Sequence, residues 1–160
     1  MPEKIKITPG GGLRITSQEI SFNFEDFYKK LHAWFIKRHY NFQEKFTKNK
    51  EKGGWGREIK LNWEGERKLD DYVKFLIVIL MDLEKYTEES SNLKGNLRIT
   101  VNSFLILDWK DQFQDKKLKK KLFNIYNKFI LKDKINNYYA AKLYDETEEL
   151  VNYSKSLLHE

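Results

Sequence analysis

Hydrophobic side chains between residues 22 and 40 recur at the spacing of a helix. Asn23 stands at an N-cap position, and Asp26 follows it three residues later, as in a capping box. One wide apolar stripe runs through the segment: Phe24, Phe27, Tyr28, Leu31, Trp34 and Phe35. The pattern predicts an amphipathic helix that begins after Asn23, ends near Tyr40 and buries Trp34 in mid-stripe.

The spacing changes to a period of two in later segments. From Glu58 to Leu69, apolar and charged side chains alternate, which is typical of an antiparallel strand with one buried face. A weaker strand is predicted before it, from Phe42 to Thr47. Leu97 to Trp109 alternates over thirteen positions, which predicts one long strand or two short ones split near Asn102 and Ser103.

The segment from Tyr72 to Leu83 is apolar on both faces, so its periodicity fits a central strand and a buried helix equally. Its β-branched residues favour the strand: Val73, Ile77, Val78 and Ile79. Asp70 and Asp71 are suitable helix caps, so a buried helix remains the alternative prediction for this segment.

Two helices are predicted at the C-terminal end of the sequence. The first begins at Asp115 as N-cap, and its apolar stripe contains Leu118, Leu122, Ile125, Tyr126, Phe129 and Ile130. The second runs from about Lys134 to Leu158, with Leu143 and Leu150 on its apolar side. No segment of the sequence repeats at a period of 20 to 50 residues, which argues against a solenoid.

These elements predict one α+β domain from residue 18 to residue 160. It contains one N-terminal amphipathic helix, an antiparallel β-meander of three to five strands, and two C-terminal helices packed on one face. Residues 1–17 are expected to form a flexible arm, because Pro9, Gly10, Gly11 and Gly12 interrupt its short apolar stretches. After these glycines, the segment from Leu13 to Phe22 is predicted as a short strand.

Composition limits the class of protein. The aromatic share of 15% argues against disorder, and the absence of cysteine excludes disulfides and thiol nucleophiles. The longest apolar run, Phe75 to Met81, has seven residues, whereas a membrane-spanning helix needs about 20. With no signal-peptide pattern at its start, the chain is expected to be soluble and cytoplasmic.

Candidate catalytic groups are sparse. His32 and His39 lie seven residues apart on the predicted helix, about 10 Å from one another, and do not make a metal site by themselves. Glu64 and Glu66 share a strand face with Lys60 and Lys68, which suits a solvated surface better than an acid–base pair. The sequence therefore predicts no enzyme, no metal site and no cofactor.

Charge is distributed unevenly along the chain. The segment from Lys116 to Lys134 carries +7, whereas Asp145 to Glu149 contains four acids and no base. Five lysines fall in the first turns of the predicted helix, where the helix dipole disfavours cations: Lys116, Lys117, Lys119, Lys120 and Lys121. They predict a surface for an anionic partner such as RNA, DNA or an acidic protein, although a solvated lysine-rich face explains them equally well.

Three stretches carry a family resemblance: "ISFNFEDFYKKLHAWFIKRHY", "GREIKLNWEGERKLDDYVKFLIVIL" and "LFNIYNKFILKDKINNYYAAKLYDETEELV". From about Ile20 onward, the chain resembles a group of small uncharacterised archaeal α+β proteins. The resemblance implies the same order of helix, strand meander and two terminal helices, and it implies no functional residues. The first sixteen residues and the lysines at 116–121 lie outside it.

Two functions agree with these observations. The first is a non-enzymatic binding module, either an adaptor or a weak, sequence-independent nucleic-acid binder that uses the lysine-rich helix. The second is a START-like ligand-binding domain with an apolar cavity between the sheet and the last helix, which depends on analogy of fold. A closed cavity of several hundred cubic ångströms would favour the second.

Overall fold

The computed structural model describes residues 3–51, 57–110 and 138–159. Over these residues the chain is an α+β fold with a six-stranded sheet and two helices. The strands are β1 (Glu3–Lys6), β2 (Leu13–Phe22), β3 (Asn41–Glu51), β4 (Arg57–Lys68), β5 (Val73–Glu89) and β6 (Asn92–Leu107). The helices are α1 (Phe24–Lys37) and α2 (Ala140–Leu158). The helix predicted after Asp115 lies outside the described residues.

The sheet is antiparallel, with the strand order β1-β6-β5-β4-β3, and β2 also pairs with β6. Strands β3 to β6 form the predicted meander. Residues 3–6, expected in a flexible arm, form β1, and the short strand predicted from Leu13 to Phe22 is confirmed as β2; β1 and β2 follow one another along β6. The turn between them makes this possible: the Gly12 N–H bonds to the Pro9 carbonyl at 3.0 Å, and Gly12 adopts a φ of 108°.

The segment from Tyr72 to Leu83 belongs to a strand. β5 lies between β4 and β6 and pairs with both over most of its length. The Asp70 carboxylate accepts hydrogen bonds from the Tyr72 and Val73 N–H groups at 2.8 and 2.7 Å, so it caps a turn that leads into the strand. The neighbouring strand β6 is one long strand, which is the first of the two alternatives predicted for it.

The predicted N-terminal helix is confirmed in its cap and in its buried side. The Asn23 side chain accepts a hydrogen bond from the Asp26 N–H at 3.0 Å. The buried members of the stripe are Phe27, Leu31, Trp34 and Phe35. Phe35 packs so closely on β4 that a Cβ at Gly65 would lie 2.5 Å from its ring. At the far end, His39 has a φ of 65° and the Tyr40 N–H returns to the Phe35 carbonyl, which closes the helix.

Both helices lie on the same face of the sheet, which we call the inner face. It is formed by the odd-numbered residues of the paired segments 58–68, 73–84 and 96–107, and Trp63 and Phe75 are its largest buried members. α1 contacts it through Phe35 and Tyr28, and the start of α2 contacts it through the ring of Tyr139 against Phe75. The even-numbered residues form the outer face. In the described ranges, no helix is long and apolar enough to cross a membrane.

Candidate binding groove between the two helices

α1 and α2 form the walls of an open groove of about 760 Å³. Each wall is a single stripe with the spacing i, i+3, i+4, i+7 and i+8, which occupies one side of a helix over two turns. Because a helix rises 1.5 Å per residue, each stripe is about 12 Å long. The α1 stripe is Lys30, Ala33, Trp34, Lys37 and Arg38, and the α2 stripe is Asp145, Glu148, Glu149, Asn152 and Tyr153.

The indole of Trp34 is the most buried large side chain in this lining. Only 5% of its surface is exposed. Its buried Nε1–H has no hydrogen-bond acceptor within the described residues. A buried donor without an acceptor costs about 1–3 kcal/mol. Trp34 therefore combines a place in the groove lining with a buried donor that has no acceptor among the described residues.

Two arginines hold α2 in place beside α1. Arg67 of β4 donates two hydrogen bonds to Glu146, from Nη1 to Oε1 at 2.8 Å and from Nη2 to Oε2 at 2.9 Å. Both side chains are only 15% exposed. Arg38, directly after α1, pairs with Glu149, one turn further along α2. Bidentate, charge-assisted pairs are strong and directional, so the two walls have a defined spacing.

Aromatic rings lie against both guanidinium groups. The Arg38 Cζ is 4.2 Å from the Trp34 ring centroid, and the Arg67 Cζ is 4.8 Å from that of Tyr40 and 5.1 Å from that of Phe75. Trp34 and Tyr40 stack with their centroids 6.1 Å apart. Burial, with a contribution from the nearby Glu146 carboxylate, raises the pKa of the Tyr40 hydroxyl above its ordinary value. These rings and guanidinium groups therefore form one continuous series of contacts from Arg38 to Phe75.

The two walls carry opposite charge. Lys30, Lys37 and Arg38 project from α1, whereas Asp145, Glu148 and Glu149 project from α2. Lys30 pairs with Asp26 at 3.0 Å, and Arg38 pairs with Glu149. No ion pair with another described residue involves Lys37, Asp145 or Glu148. Among the charged side chains of the groove, Lys37, Asp145 and Glu148 are therefore available to a partner.

The groove combines aromatic and charged groups. The described residues that line it include no serine, threonine, cysteine or histidine. They offer the rings of Trp34 and Tyr153 between two charged walls.

The outer face carries a second cluster that the sequence did not predict. Glu58, Asp82 and Glu84 have carboxylate oxygens that all lie within 4.8 Å of one another. Cross-strand pairing brings them together, because Glu58 is opposite Glu84 and Lys60 is opposite Asp82. The Lys60 Nζ is 3.4 Å from Glu58 Oε1 and partly neutralises the cluster. Burial raises the pKa of Asp82, and the neighbouring carboxylates of Glu58 and Glu84 raise it further.

Other groups singled out in the sequence take structural positions. Glu64 and Glu66 lie on the outer face beside lysines, with Glu66 3.4 Å from the Lys74 Nζ. His32 packs between the rings of Tyr28 and Phe42. The predicted anion-binding residues Lys116, Lys117, Lys119, Lys120 and Lys121 lie outside the described residues. Of the two charge blocks in the sequence, the acidic one, Asp145 to Glu149, lies on a wall of the groove.

Comparison with known proteins finds no relative of this chain. No protein-family model, no curated protein and no solved structure matches the chain. The resemblance to small archaeal α+β proteins stays a prediction.

Proposed function

We propose that the protein is a non-enzymatic binding module that holds a segment of a partner protein in the groove between α1 and α2. The observation that carries this proposal is the open groove lined by Trp34, whose buried Nε1–H has no acceptor among the described residues. A bound acceptor would remove the cost of burying that donor.

The shape and charge of the groove favour a protein segment over a small molecule. Small-molecule sites are mostly apolar and enclose most of the ligand surface. This groove is open along one side, and six of its ten lining residues are charged. An open groove with an aromatic floor and charged rims is the arrangement by which peptide segments are recognised.

A nucleic-acid partner does not suit the groove, because Asp145 and Glu148 would face its phosphates. The lysine-rich segment is a separate candidate surface for a polyanion. The whole chain carries +6, and the segment from Lys116 to Lys134 carries +7, so all other residues together carry −1 (6 − 7). Binding of RNA, DNA or an acidic protein through this segment therefore stays a second proposal.

The START-like alternative is favoured by one feature of the topology and opposed by another. The N-terminal strands pair with the last strand of the meander, and a long C-terminal helix lies on the inner face. However, fully buried side chains occupy the described part of the core between the sheet and the helices: Phe35, Phe75, Ile77, Leu105 and Leu143 are among them. The open groove lies between the helices, outside that core. We therefore rank this alternative below the binding module.

The proposal is tested by closing the groove. Ala33 lies in the lining and is exposed, so Ala33→Trp fills the groove with little change to the core. Peptide ligands are first selected with the wild-type protein from displayed libraries of linear and disulfide-constrained random sequences. Their affinities for wild type and Ala33→Trp are then compared by calorimetry. We expect Ala33→Trp to lose at least about tenfold in affinity, equivalent to about 1.4 kcal/mol.

Ile36→Trp is the matched control. Ile36 is on α1 and is 52% exposed, but it does not line the groove. This variant should bind the selected peptides as wild type does. If the library yields no ligand, or if both tryptophan variants bind as wild type, the groove is not the binding surface.

A further inference from the structure

We infer that the groove accepts an amphipathic helix of a partner protein, with acidic side chains along α1, basic side chains along α2 and an apolar ridge over Trp34. This inference rests on the proposed function and specifies its partner. It follows from the backbone of the walls, from their charges and from the Trp34 N–H.

The walls of the groove determine the secondary structure of the partner. Both walls are helical stripes, whose backbone N–H and C=O groups are bonded within their own helices. An extended peptide in the groove would find few backbone partners for its own N–H and C=O groups. A helix satisfies these groups internally and packs its side-chain ridge into the groove between two other helices. The partner therefore binds as a helix over about two turns.

The unpaired charges determine the flanks of that helix. Lys37 on α1 can form an ion pair with an acidic side chain of the partner helix, and Asp145 and Glu148 on α2 can form ion pairs with basic ones. Like charges at either wall would oppose binding, so the polarity across the groove gives specificity as well as attraction. A helix with two acidic flanks or two basic flanks meets one matching wall and one repelling wall.

The Trp34 N–H indicates the residue type at one position of the partner helix. Backbone carbonyls within a helix already accept hydrogen bonds, so a side-chain oxygen is the acceptor that a partner helix can best offer this N–H. Lys37 lies one turn from Trp34 on the same stripe. A Glu or Gln on the acidic flank of the partner is therefore the acceptor that the geometry favours.

The test uses three synthetic helical peptides of about 15 residues, long enough to form helix in solution when alanine-rich. All three share one leucine ridge. The first has glutamates on one flank and lysines on the other, the second has glutamates on both flanks, and the third has lysines on both. Because each peptide can enter the groove in either direction, a mixed peptide with exchanged flanks would be no control, and the two uniform peptides serve instead.

Fluorescence anisotropy of the labelled peptides measures affinity, and the ¹⁵N-labelled indole resonance of Trp34 reports contact with its N–H. We expect the mixed peptide to bind wild type at least about tenfold more tightly than either uniform peptide and to shift that resonance. In Lys37→Glu, the order should change so that the doubly basic peptide binds most tightly. Lys29→Glu makes the same charge change on an exposed part of α1 outside the groove, and it should leave the order as in wild type.

Three outcomes would overturn the inference. The first is that none of the three peptides binds although ligands selected from the random libraries do, in which case the groove binds peptide in another conformation and the proposed function stands. The second is a preference for the mixed peptide that survives Lys37→Glu. The third is a concentration-dependent dimer in light scattering that Ala33→Trp abolishes, because a second copy of the chain would then occupy the groove.

Discussion

The two faces of the sheet are built from the same strands, but they differ in burial and in charge. On the inner face, Trp63, Phe75 and Ile77 are almost fully buried under α1 and α2. On the outer face, alternate residues of the same strands include the Glu58, Asp82 and Glu84 carboxylates, and Phe46 and Leu80 are 50% and 44% exposed. The inner face therefore supplies the hydrophobic core. The outer face carries a group of carboxylates that repel one another, and packing on the inner face offsets this cost.

The difference between the faces also explains the position of the groove. Side chains of the inner face are committed to packing, but the helices that cover it have a second side, away from the sheet. Trp34 lies at the boundary, because it stacks on Tyr40 and also lines the groove.

The largest expected effect is loss of a ring from the inner face. Phe35 is fully buried against Gly65, so Phe35→Ala should lower the free energy of unfolding by about 3–5 kcal/mol. Phe46→Ala removes the same ring from the outer face and should change it by no more than about 0.5 kcal/mol. Urea denaturation measures both. Equal losses would mean that the two faces contribute alike to the core.

An intermediate effect is expected at the pair between β4 and α2. Arg67→Met leaves the Glu146 carboxylate largely buried without its partner and should cost about 3 kcal/mol. The double variant with Glu146→Met should regain at least about 1 kcal/mol, because no unpaired charge remains. The exposed pair Lys29–Glu25 is the control, and its removal should cost less than about 0.5 kcal/mol. A double variant that is less stable than Arg67→Met would contradict this account.

The smallest effect, and the one of opposite sign, is expected on the outer face. The folded protein raises the pKa of Asp82, so it binds that proton more tightly than the unfolded chain does. The contribution of Asp82 to stability is therefore fully present below about pH 4 and is lost as the pH rises through the raised pKa. Asp82→Asn removes this loss and should be more stable than wild type at neutral pH by a few tenths to about 1 kcal/mol.

Urea denaturation between pH 3.5 and 8 checks the prediction for Asp82. The difference between Asp82→Asn and wild type should be smallest at the acid end and should grow as the pH rises. Glu89→Gln removes an exposed carboxylate from the end of the same strand, and its difference from wild type should not grow in this way. A constant difference across the pH range would show that burial does not act on the charge of Asp82.

The sequence by itself determined the elements whose signals are local. The cap at Asn23 and the stripe through Trp34 are sufficient to define α1, because both depend on residues within a few turns of each other. Alternation likewise defined β4, whereas for β6 it left one long strand and two short ones open. It also indicated that Trp34 is buried, although as a core residue and not as part of a binding groove.

Only the tertiary structure decided which distant elements meet. β1 and β2 join the sheet because β6 offers them an unpaired edge, and nothing within residues 1–17 encodes that partner. The same applies to Glu58 and Asp82, which strand register brings together, and to Trp34, which lines a groove only because Arg67 and Arg38 hold α2 beside α1. Local spacing fixes which side of an element is apolar, but the neighbour that covers that side is chosen by packing across the whole chain.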